Sequence, residues 1–480
     1  GKVRIQPKTD LYVGTPFLEL ASASPGIRGN QTISYLEING INGANQAKCG
    51  ILVKNRNNVR IHHCDILDFK GAKGSYAIYV LSTQIQPTNE WWDYWPSDPQ
   101  APGVNNNINR LWPGNPVENF ELDNNAIINC GWKGEGDNLS AAVQPYNLKN
   151  SSFHHNVINN SGSGGQAINR VASFLWNVDI YNNSITNQRY TDRSTYPFEL
   201  WVLRDCNIYN NTSNAGFSIT YGKGVKIYNN TIIFNPAQSG KHGIGIEFIG
   251  QSHGEVYGNF ISGANSYGID WGMPATSNSK NWIAEHVTIR NNVIYNTKIA
   301  GIGIFAGGGR STAYTNTVRY GKVYHNVIDG QLSSETGREM RGSPGIHIVQ
   351  THNNGVSVMS DIRIQNNVIK DITGYAGWTS GNVKNIQISH NLFYRCNNNS
   401  WLGSQEQNTT FEDPNFRSEG VNFAGYAPTM PSGAIDRGAV ISGYSYTGSA
   451  PDIGAIEVGQ VIHPPELKII GMSSSSEAIN

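Results

Sequence analysis

Three carboxylates, Glu199, Glu247 and Asp270, occupy equivalent positions in three short segments where apolar residues flank the acidic one. In an extended strand the flanking apolar residues point to one side and the carboxylate to the other. If the segments are strands stacked about 4.8 Å apart, the three carboxylates lie on one outward stripe. Paired carboxylates are the groups that cleave glycosidic bonds, because one must hold a proton while the other stays charged.

The order of the segments predicts which carboxylates work together. Glu247 and Asp270 should lie on adjacent turns of a stacked structure, and Glu199 about two turns earlier. Carboxyl groups about 5–5.5 Å apart serve retaining glycosidases, and groups about 6.5–9.5 Å apart serve inverting ones. Neighbouring turns fit the first distance and a two-turn gap fits the second, so Glu247 belongs to either pair. The competing interpretation, that all three are solvated strand residues, is weakened by their convergence in the middle of the chain.

Aromatic and basic residues near these segments could bind a sugar chain. Aromatic faces can cover the apolar side of a sugar ring while its hydroxyls bond elsewhere. Basic groups could bind uronate carboxylates and supply the base that a polysaccharide lyase or epimerase needs. The predicted substrate-binding residues are Trp92, Arg170, Trp201, Tyr221, Lys241, His242, Trp271, Phe305 and His347. For each aromatic residue, packing against its own turn is the competing interpretation.

A short repeat positions all of these segments. An Asn-Asn step flanked by aliphatic residues returns roughly every thirty residues, a self-similarity that indicates a stacked repeat. The full copies contain Asn124-Asn125, Asn182-Asn183, Asn210-Asn211, Asn229-Asn230, Asn291-Asn292 and Asn366-Asn367, and the variant copies contain His155-Asn156, Gly258-Asn259, His325-Asn326 and His390-Asn391. His63-Cys64 is a degenerate first copy. Asn tolerates a left-handed backbone, so each step predicts a sharp corner between strands and a ladder of stacked amides.

The period-two alternation around each corner predicts strands, and the variable spacing of the copies predicts a β-solenoid whose insertions leave as loops. The predicted fold is all-β: a single right-handed parallel β-helix of about a dozen coils, with handedness taken from the rule for parallel crossovers. Residues 1–50 are predicted to form N-terminal strands and a cap, and residues 51–410 the coils. An aromatic-rich insertion interrupts the coils at 88–118, and a closing segment and tail fill 411–480.

Composition narrows the function. The 480-residue chain has a formal net charge of zero, which argues against a nucleic-acid partner held by phosphate attraction. It contains no apolar run long enough to predict a membrane span. The five cysteines lack metal-ligand spacing, and we expect them to be small buried residues rather than disulfides. The first residues do not form a signal peptide, and we expect them to be a mature or trimmed start. We expect secretion from the predicted architecture and the aromatic content.

The coils resemble the right-handed β-helix (pectin-lyase-like) superfamily, which contains pectate lyases, polygalacturonases and other secreted polysaccharide-active proteins. Three stretches strengthen the resemblance, because they are similar to the closing segment of secreted bacterial members: Asp413-Pro414-Asn415-Phe416, Ser432 to Gly438, and Asp452 to Glu457. Gly433 replaces the usual proline of the second stretch. The subfamily motifs are missing, including the paired Asp motif of polygalacturonases and the acidic calcium site of pectate lyases. Tyr267-Gly268-Ile269-Asp270 resembles a Tyr-Gly-x-Asp stretch of alginate epimerases, but Trp271-Gly272 replaces the His-Asp that follows there.

Together these features predict a secreted glycoside hydrolase that acts on a polysaccharide or oligosaccharide in a groove along the coils. We expect it to need no cofactor, although the fold leaves room for structural calcium. The alternatives are a polysaccharide lyase or epimerase, and a noncatalytic glycan-binding or tailspike-like solenoid. The sequence does not name the polysaccharide.

Overall fold

The chain winds into a parallel β-helix in this computed structural model. The structure describes residues 2–6, 16–40, 49–69, 75–83, 114–131, 141–161, 167–170, 173–186, 196–234, 243–273, 282–307, 315–331, 343–351 and 356–460. All pairings between the described strands are parallel, and each strand pairs with its equivalents in the coils before and after it. None of the described segments forms a helix with the length and apolarity needed to cross a bilayer.

Each coil contributes strands to three faces. The first face carries the predicted carboxylate stripe. Its strands are β2 (Pro16–Ala21), β5 (Cys49–Lys54), β8 (Tyr76–Leu81), β12 (Val143–Tyr146), β15 (Ile168–Arg170), β18 (Phe198–Arg204), β21 (Phe217–Lys223), β24 (Ile246–Ile249), β28 (Tyr267–Met273), β32 (Ala300–Gly307), β36 (Ile346–Thr351), β39 (Tyr375–Ser380) and β42 (Asn398–Leu402).

The second face follows the first along the chain and ends at the Asn corner. Its strands are β3 (Ile27–Ser34), β6 (Arg56–His62), β9 (Val117–Glu118), β10 (Glu121–Asp123), β13 (Leu148–His154), β16 (Leu175–Tyr181), β19 (Asn207–Tyr209), β22 (Lys226–Tyr228), β25 (Gln251–Ser252), β26 (Glu255–Tyr257), β29 (Trp282–Glu285), β30 (Thr288–Arg290), β33 (Thr315–Arg319), β34 (Lys322–Tyr324), β37 (Val356–Gln365) and β40 (Lys384–Ser389). Together with the first face it forms one sheet, which contains 29 of the described strands.

The third face is a separate sheet, and 13 short strands are described in it, one from each coil. Its strands are β1 (Val3–Ile5), β4 (Leu36–Asn39), β7 (Asp65–Leu67), β11 (Ala126–Ile128), β14 (Val157–Asn159), β17 (Ser184–Thr186), β20 (Thr212–Ser213), β23 (Thr231–Ile233), β27 (Phe260–Ser262), β31 (Val293–Thr297), β35 (Val327–Gln331), β38 (Val368–Lys370) and β41 (Leu392–Tyr394).

The Asn step makes the corner between the second and third faces. The first residue of the step adopts the left-handed backbone, as in Asn182 with φ 53° and Asn291 with φ 51°. The second residue points inward and forms the ladder. Asn292 Nδ2 donates to Asn326 Oδ1 at 2.9 Å, and its Oδ1 accepts from the backbone nitrogen of Asn259 at 3.1 Å. Cys64 takes the ladder position in the first copy, where its backbone nitrogen donates to Asn125 Oδ1.

Aliphatic side chains from all three faces fill one continuous core. The cysteines lie within or beside this core, as expected, and no disulfide joins any of the described ones. A closing segment, residues 411–460, folds back along the outer side of the third face. There Phe416, Tyr426 and Ile453 pack against Val327 and Val368. The segment contains a short 3-10 helix, Phe423–Tyr426.

Candidate active site

A column of polar side chains runs along the first face, one position from each successive coil. We call it the polar column; strand register stacks its members in the order Asn169, Glu199, Ser218, Glu247, Asp270, Gly303 and His347. The alternation predicted from the sequence therefore places all three carboxylates in one row. Glu247 and Asp270 are direct neighbours, and Ser218 separates Glu247 from Glu199.

Hydrogen bonds from the preceding coil hold two of the carboxylates. Asn169 Nδ2 donates to Glu199 Oε2 at 2.8 Å, and the Ser218 hydroxyl donates to Glu247 Oε2. Burial raises the pKa of Glu247, while the bond from Ser218 partly opposes that rise. The same bond favours the charged form of Glu247, because a hydrogen bond to a carboxylate stabilises its negative charge.

Asp270 has the opposite surroundings. Asp270 is only 8% exposed, and its Oδ1 atom has no hydrogen-bond partner among the described residues. Burial, and then the negative charge of Glu247, raise its pKa well above the ordinary value for aspartate. A buried polar atom without a partner is uncommon in a folded protein and needs a cause, such as a role in binding or catalysis. The two neighbouring carboxyls thus differ, with Asp270 favouring the protonated form.

Two tyrosines, the buried Tyr196 and the half-buried Tyr267, lie near the carboxylates and were not predicted from the sequence as site residues. Burial raises the pKa of Tyr196, and the charges of Glu247, Asp270 and Glu199 raise it further. Burial and then Asp270 raise the pKa of Tyr267. The sequence does contain a pattern that singles them out, because Tyr196 and Tyr267 each stand three residues before an outward carboxylate.

Aromatic side chains surround the far end of the polar column. The Tyr267 ring meets the Phe305 ring edge-on at 5.1 Å, and Tyr267 Oη lies 3.4 Å from His347 Nδ1. The His347 ring stacks on Trp378 at 5.1 Å. Although His347 points outward as predicted, it is only 3% exposed, and burial lowers its pKa to about 4. At neutral pH it is therefore an uncharged imidazole.

The prediction that Trp271 binds a sugar ring is wrong, and Tyr221 has little exposed surface for such binding. Because Asp270 points outward, alternation turns Trp271 into the core, where it is 0% exposed and cannot stack on a sugar. Tyr221 sits at a corner with φ 62° and is 7% exposed, with its ring stacked on Trp282 at 5.2 Å. Trp201 is half-buried and meets Tyr221 edge-on, so part of its ring remains available.

The other predicted substrate-binding residues stay predictions. Trp92, Lys241 and His242 lie outside the described residues, as do most of the 88–118 insertion and the segments between several coils. Only the backbone of Arg170, at the end of β15, is described, and it follows Asn169 of the polar column.

Among the described residues, three clusters each contain three potential metal-ligand side chains whose ligand atoms lie within 4.8 Å of one another. None of the three clusters includes a residue of the polar column. They are His253–Glu285–His286, Glu121–Asp123–His154 and Asp329–Asp371–Glu419. The first has an arginine on its carboxylate, since Arg319 Nε donates to Glu285 at 2.8 Å. The third surrounds the ammonium of Lys370, which takes the place a cation would fill. Structural calcium stays a prediction.

Comparison with known proteins identifies the fold. Residues 176–338 match the family model described as a right-handed β-helix region. This match and the parallel topology confirm the predicted right-handed parallel β-helix. No curated protein sequence matches the chain.

Several solved structures are similar to the chain at low identity. An alginate lyase, AlyF-OU02, is 12% identical over 94% of this chain and 91% of its own, with a TM-score of 0.44. The Streptococcus pneumoniae surface adhesin PfbA is 14% identical over 87% and 86%, with a TM-score of 0.38. An exopolygalacturonase from Thermotoga maritima is 14% identical over 85% and 84%, with a TM-score of 0.32. These similarities do not identify a reaction for this chain.

Proposed function

We propose that this chain is a glycoside hydrolase that cleaves a polysaccharide at the polar column, with Asp270 as the general acid and Glu247 as the charged partner. One observation carries the proposal: two neighbouring carboxyls differ in environment, one hydrogen-bonded by Ser218 and the other buried with an unpartnered oxygen. Environments that push the pKa values of two adjacent groups apart define the acid and the base of such a pair. An extracellular location, where polysaccharides occur, belongs to the same proposal.

The reaction follows from the spacing of adjacent coils. Strands about 4.8 Å apart bring two carboxyls close to the separation of about 5–5.5 Å that retaining enzymes use. Asp270 gives its proton to the glycosidic oxygen as that bond breaks, and a Glu247 oxygen forms a bond to the anomeric carbon. Asp270, now charged, then takes a proton from water as the water oxygen displaces Glu247. The sugar leaves with its anomeric configuration retained, and both carboxyls return to their starting forms.

Glu199 is the less favoured partner. It lies two coils from Glu247, a gap of about 9.6 Å between strands, which is near the upper limit for inverting enzymes. Asn169 also holds its carboxylate in place, which suits a residue that orients substrate or the buried Tyr196.

A matched set of variants tests the proposal. Glu247→Gln and Asp270→Asn should each lower release of reducing ends from a polysaccharide panel by about 10²–10⁴-fold, the usual contribution of an acid or base. Binding of the same polysaccharide should persist. Glu255→Gln is the control, because Glu255 points outward on the second face and pairs with Arg290. Nuclear magnetic resonance of the first product should show the retained anomer.

Unchanged release of reducing ends by both variants would reject the hydrolase. Binding without any release from the native protein on the whole panel would favour the noncatalytic glycan-binding alternative.

One contact supports a lyase as the second candidate. Tyr267 and His347 approach each other beside Asp270, and a neutral imidazole such as that of His347 can remove a proton next to a uronate carboxylate. Tyr267 keeps its proton, because its pKa is raised, and its hydroxyl can orient the imidazole or donate a proton to the leaving oxygen. A protonated Asp270 could then donate a hydrogen bond to that carboxylate. A lyase leaves an unsaturated sugar, so a rise in ultraviolet absorbance during turnover would identify it. Loss of that rise in Tyr267→Phe, with Glu247→Gln still active, would assign the reaction to this pair.

A further inference from the structure

A polar groove lies on the second face of the last coils, on a different face from the polar column. It has a volume of about 360 Å³ and lies over strands β30, β34, β37 and β40. Its floor is the outward row Thr288, Lys322, Arg363 and Gln387, which strand register places side by side. A neighbouring row of residues with left-handed backbone, which includes Tyr320 and Asp361, forms one edge of the groove.

Two like charges face this groove on adjacent strands. Lys322 and Arg363 are register partners, and both are exposed. Neither forms an ion pair with any residue in the described part of the chain, whereas Lys226, in the same row, lies 3.7 Å from Glu255. Like charges directly opposite each other on neighbouring strands are unfavourable. An anion bound between them would remove this repulsion.

The nearest carboxylates offset only part of the charge of this pair. Asp361 accepts hydrogen bonds from Ser360 Oγ at 2.7 Å and Asn385 Nδ2 at 2.5 Å. These bonds, and then the charges of Arg319 and Arg363, lower its pKa, so Asp361 is one charged carboxylate beside two cations. Glu285, one row further, is held by Arg319. Lys384 adds another exposed cation on this face. The groove therefore has an excess of positive charge on a chain whose formal net charge is zero.

The groove also offers groups that suit a sugar. Tyr320 is 41% exposed, and one side of its ring stacks on His286 at 4.7 Å, which fixes the ring in place. A fixed aromatic ring can cover the apolar face of a sugar. The amides of Asn385 and Gln387 can exchange hydrogen bonds with hydroxyls.

From this arrangement we propose that the groove is an ancillary binding site for an acidic saccharide. A carboxylate or sulfate of the sugar lies between Lys322 and Arg363, and the ring lies against Tyr320. The site binds without cleaving and holds an acidic polysaccharide on the second face. It does not depend on the reaction proposed for the polar column.

Binding measurements with three polymers test the site: polygalacturonate for carboxylate, dextran sulfate for sulfate, and unsubstituted dextran as the neutral probe. Lys322→Gln/Arg363→Gln should weaken binding of at least one anionic polymer about tenfold, the effect of losing charge-assisted hydrogen bonds. The control Lys226→Gln/Lys149→Gln removes two cations from the same face that have acidic partners. Running both pairs with and without Glu247→Gln separates this site from the polar column.

Crosslinking locates the contact directly. A carbodiimide joins carboxylates of oligogalacturonate to lysine amines, and mass spectrometry should place the main adduct on Lys322 rather than Lys226.

Tyr320→Ala should weaken binding without changing its salt dependence, whereas the double variant Lys322→Gln/Arg363→Gln should reduce that dependence. Equal losses in the test and control pairs, or adducts spread evenly over exposed lysines, would overturn the proposal. If Glu247→Gln abolishes cleavage but leaves binding at the groove unchanged, the proposal of an ancillary site still holds.

Discussion

Burying a carboxyl such as that of Asp270 works against folding. The residue is enclosed, one oxygen has no described partner, and Glu247 lies in the next coil. A buried group in this position opposes ionisation, because water no longer stabilises the charge and a like charge lies nearby. Such an arrangement persists when function requires it, since replacing the group by a neutral one would favour the fold.

We therefore expect Asp270→Asn to be more stable than the native protein at neutral pH by about 1–3 kcal/mol, because the neutral amide avoids the cost of burying a carboxyl that ionises in the unfolded chain. The raised pKa makes the folded state hold its proton longer than the unfolded state. Native stability should fall as pH rises from about 4, where an unfolded aspartate ionises, until Asp270 ionises in the folded state. Denaturant melts from pH 4 to pH 8 should show the two proteins converging at the acid end.

Asp205→Asn is the control for this pH series. Asp205 is exposed and pairs with Arg204 at 3.2 Å, so its change should leave stability nearly constant across the range. A native protein whose stability relative to Asp270→Asn does not change with pH would show that Asp270 is solvated in the folded protein.

At the scale of strands and corners, the sequence predicts most of the architecture because two local rules govern it. Period-two alternation places Glu199, Glu247 and Asp270 outward, and the tolerance of Asn for a left-handed backbone places the corners. The same alternation predicts that Trp271 points into the core, because its neighbour Asp270 points outward. The enclosure of the polar column was not predictable, because the burial of Asp270 and of Tyr196 depends on packing between segments that are distant in the sequence.

The Asn ladder should contribute a large, local part of the stability. Asn292 Nδ2 also donates to the Val256 carbonyl at 2.9 Å, so Asn292→Ala leaves several buried backbone and amide groups without partners. We expect a loss of about 3 kcal/mol, since each orphaned buried group costs about 1–3 kcal/mol. Thermal unfolding measures it. Asn207→Ala, which removes a half-buried amide bonded to Asp179, is the control and should cost under about 1 kcal/mol.

Near-equal losses in Asn292→Ala and Asn207→Ala would contradict the ladder's role. Hydrogen exchange adds a second readout, because coils contact mainly their neighbours and the increase in exchange should centre on strands β26, β30 and β34.

Across the whole molecule, the closing segment joins the last coils through a buried cation. Lys370 Nζ lies 2.6 Å from Glu419, 2.9 Å from Asp371 and 3.5 Å from Asp329. Burial lowers the pKa of Lys370, but the three carboxylates outweigh that effect and raise it overall. Tyr426 of the closing segment also donates to Asp329 at 2.7 Å. The ammonium therefore holds together acidic groups from two coils and the closing segment.

Lys370→Met should release the closing segment while the early coils stay folded. Removing one partner of a buried ionic group leaves uncompensated charge and costs about 3–5 kcal/mol. Solenoid stability is a sum of local and neighbour terms, so this loss should concentrate near the last coils. Hydrogen exchange should rise in residues 411–460 and in β35 and β38, with little change before residue 230. Lys384→Met, an exposed lysine, should leave exchange unchanged. If exchange rises evenly along the chain, the coils and the closing segment unfold as one cooperative unit, and the segment is a structural part of the helix rather than a cover docked on its third face.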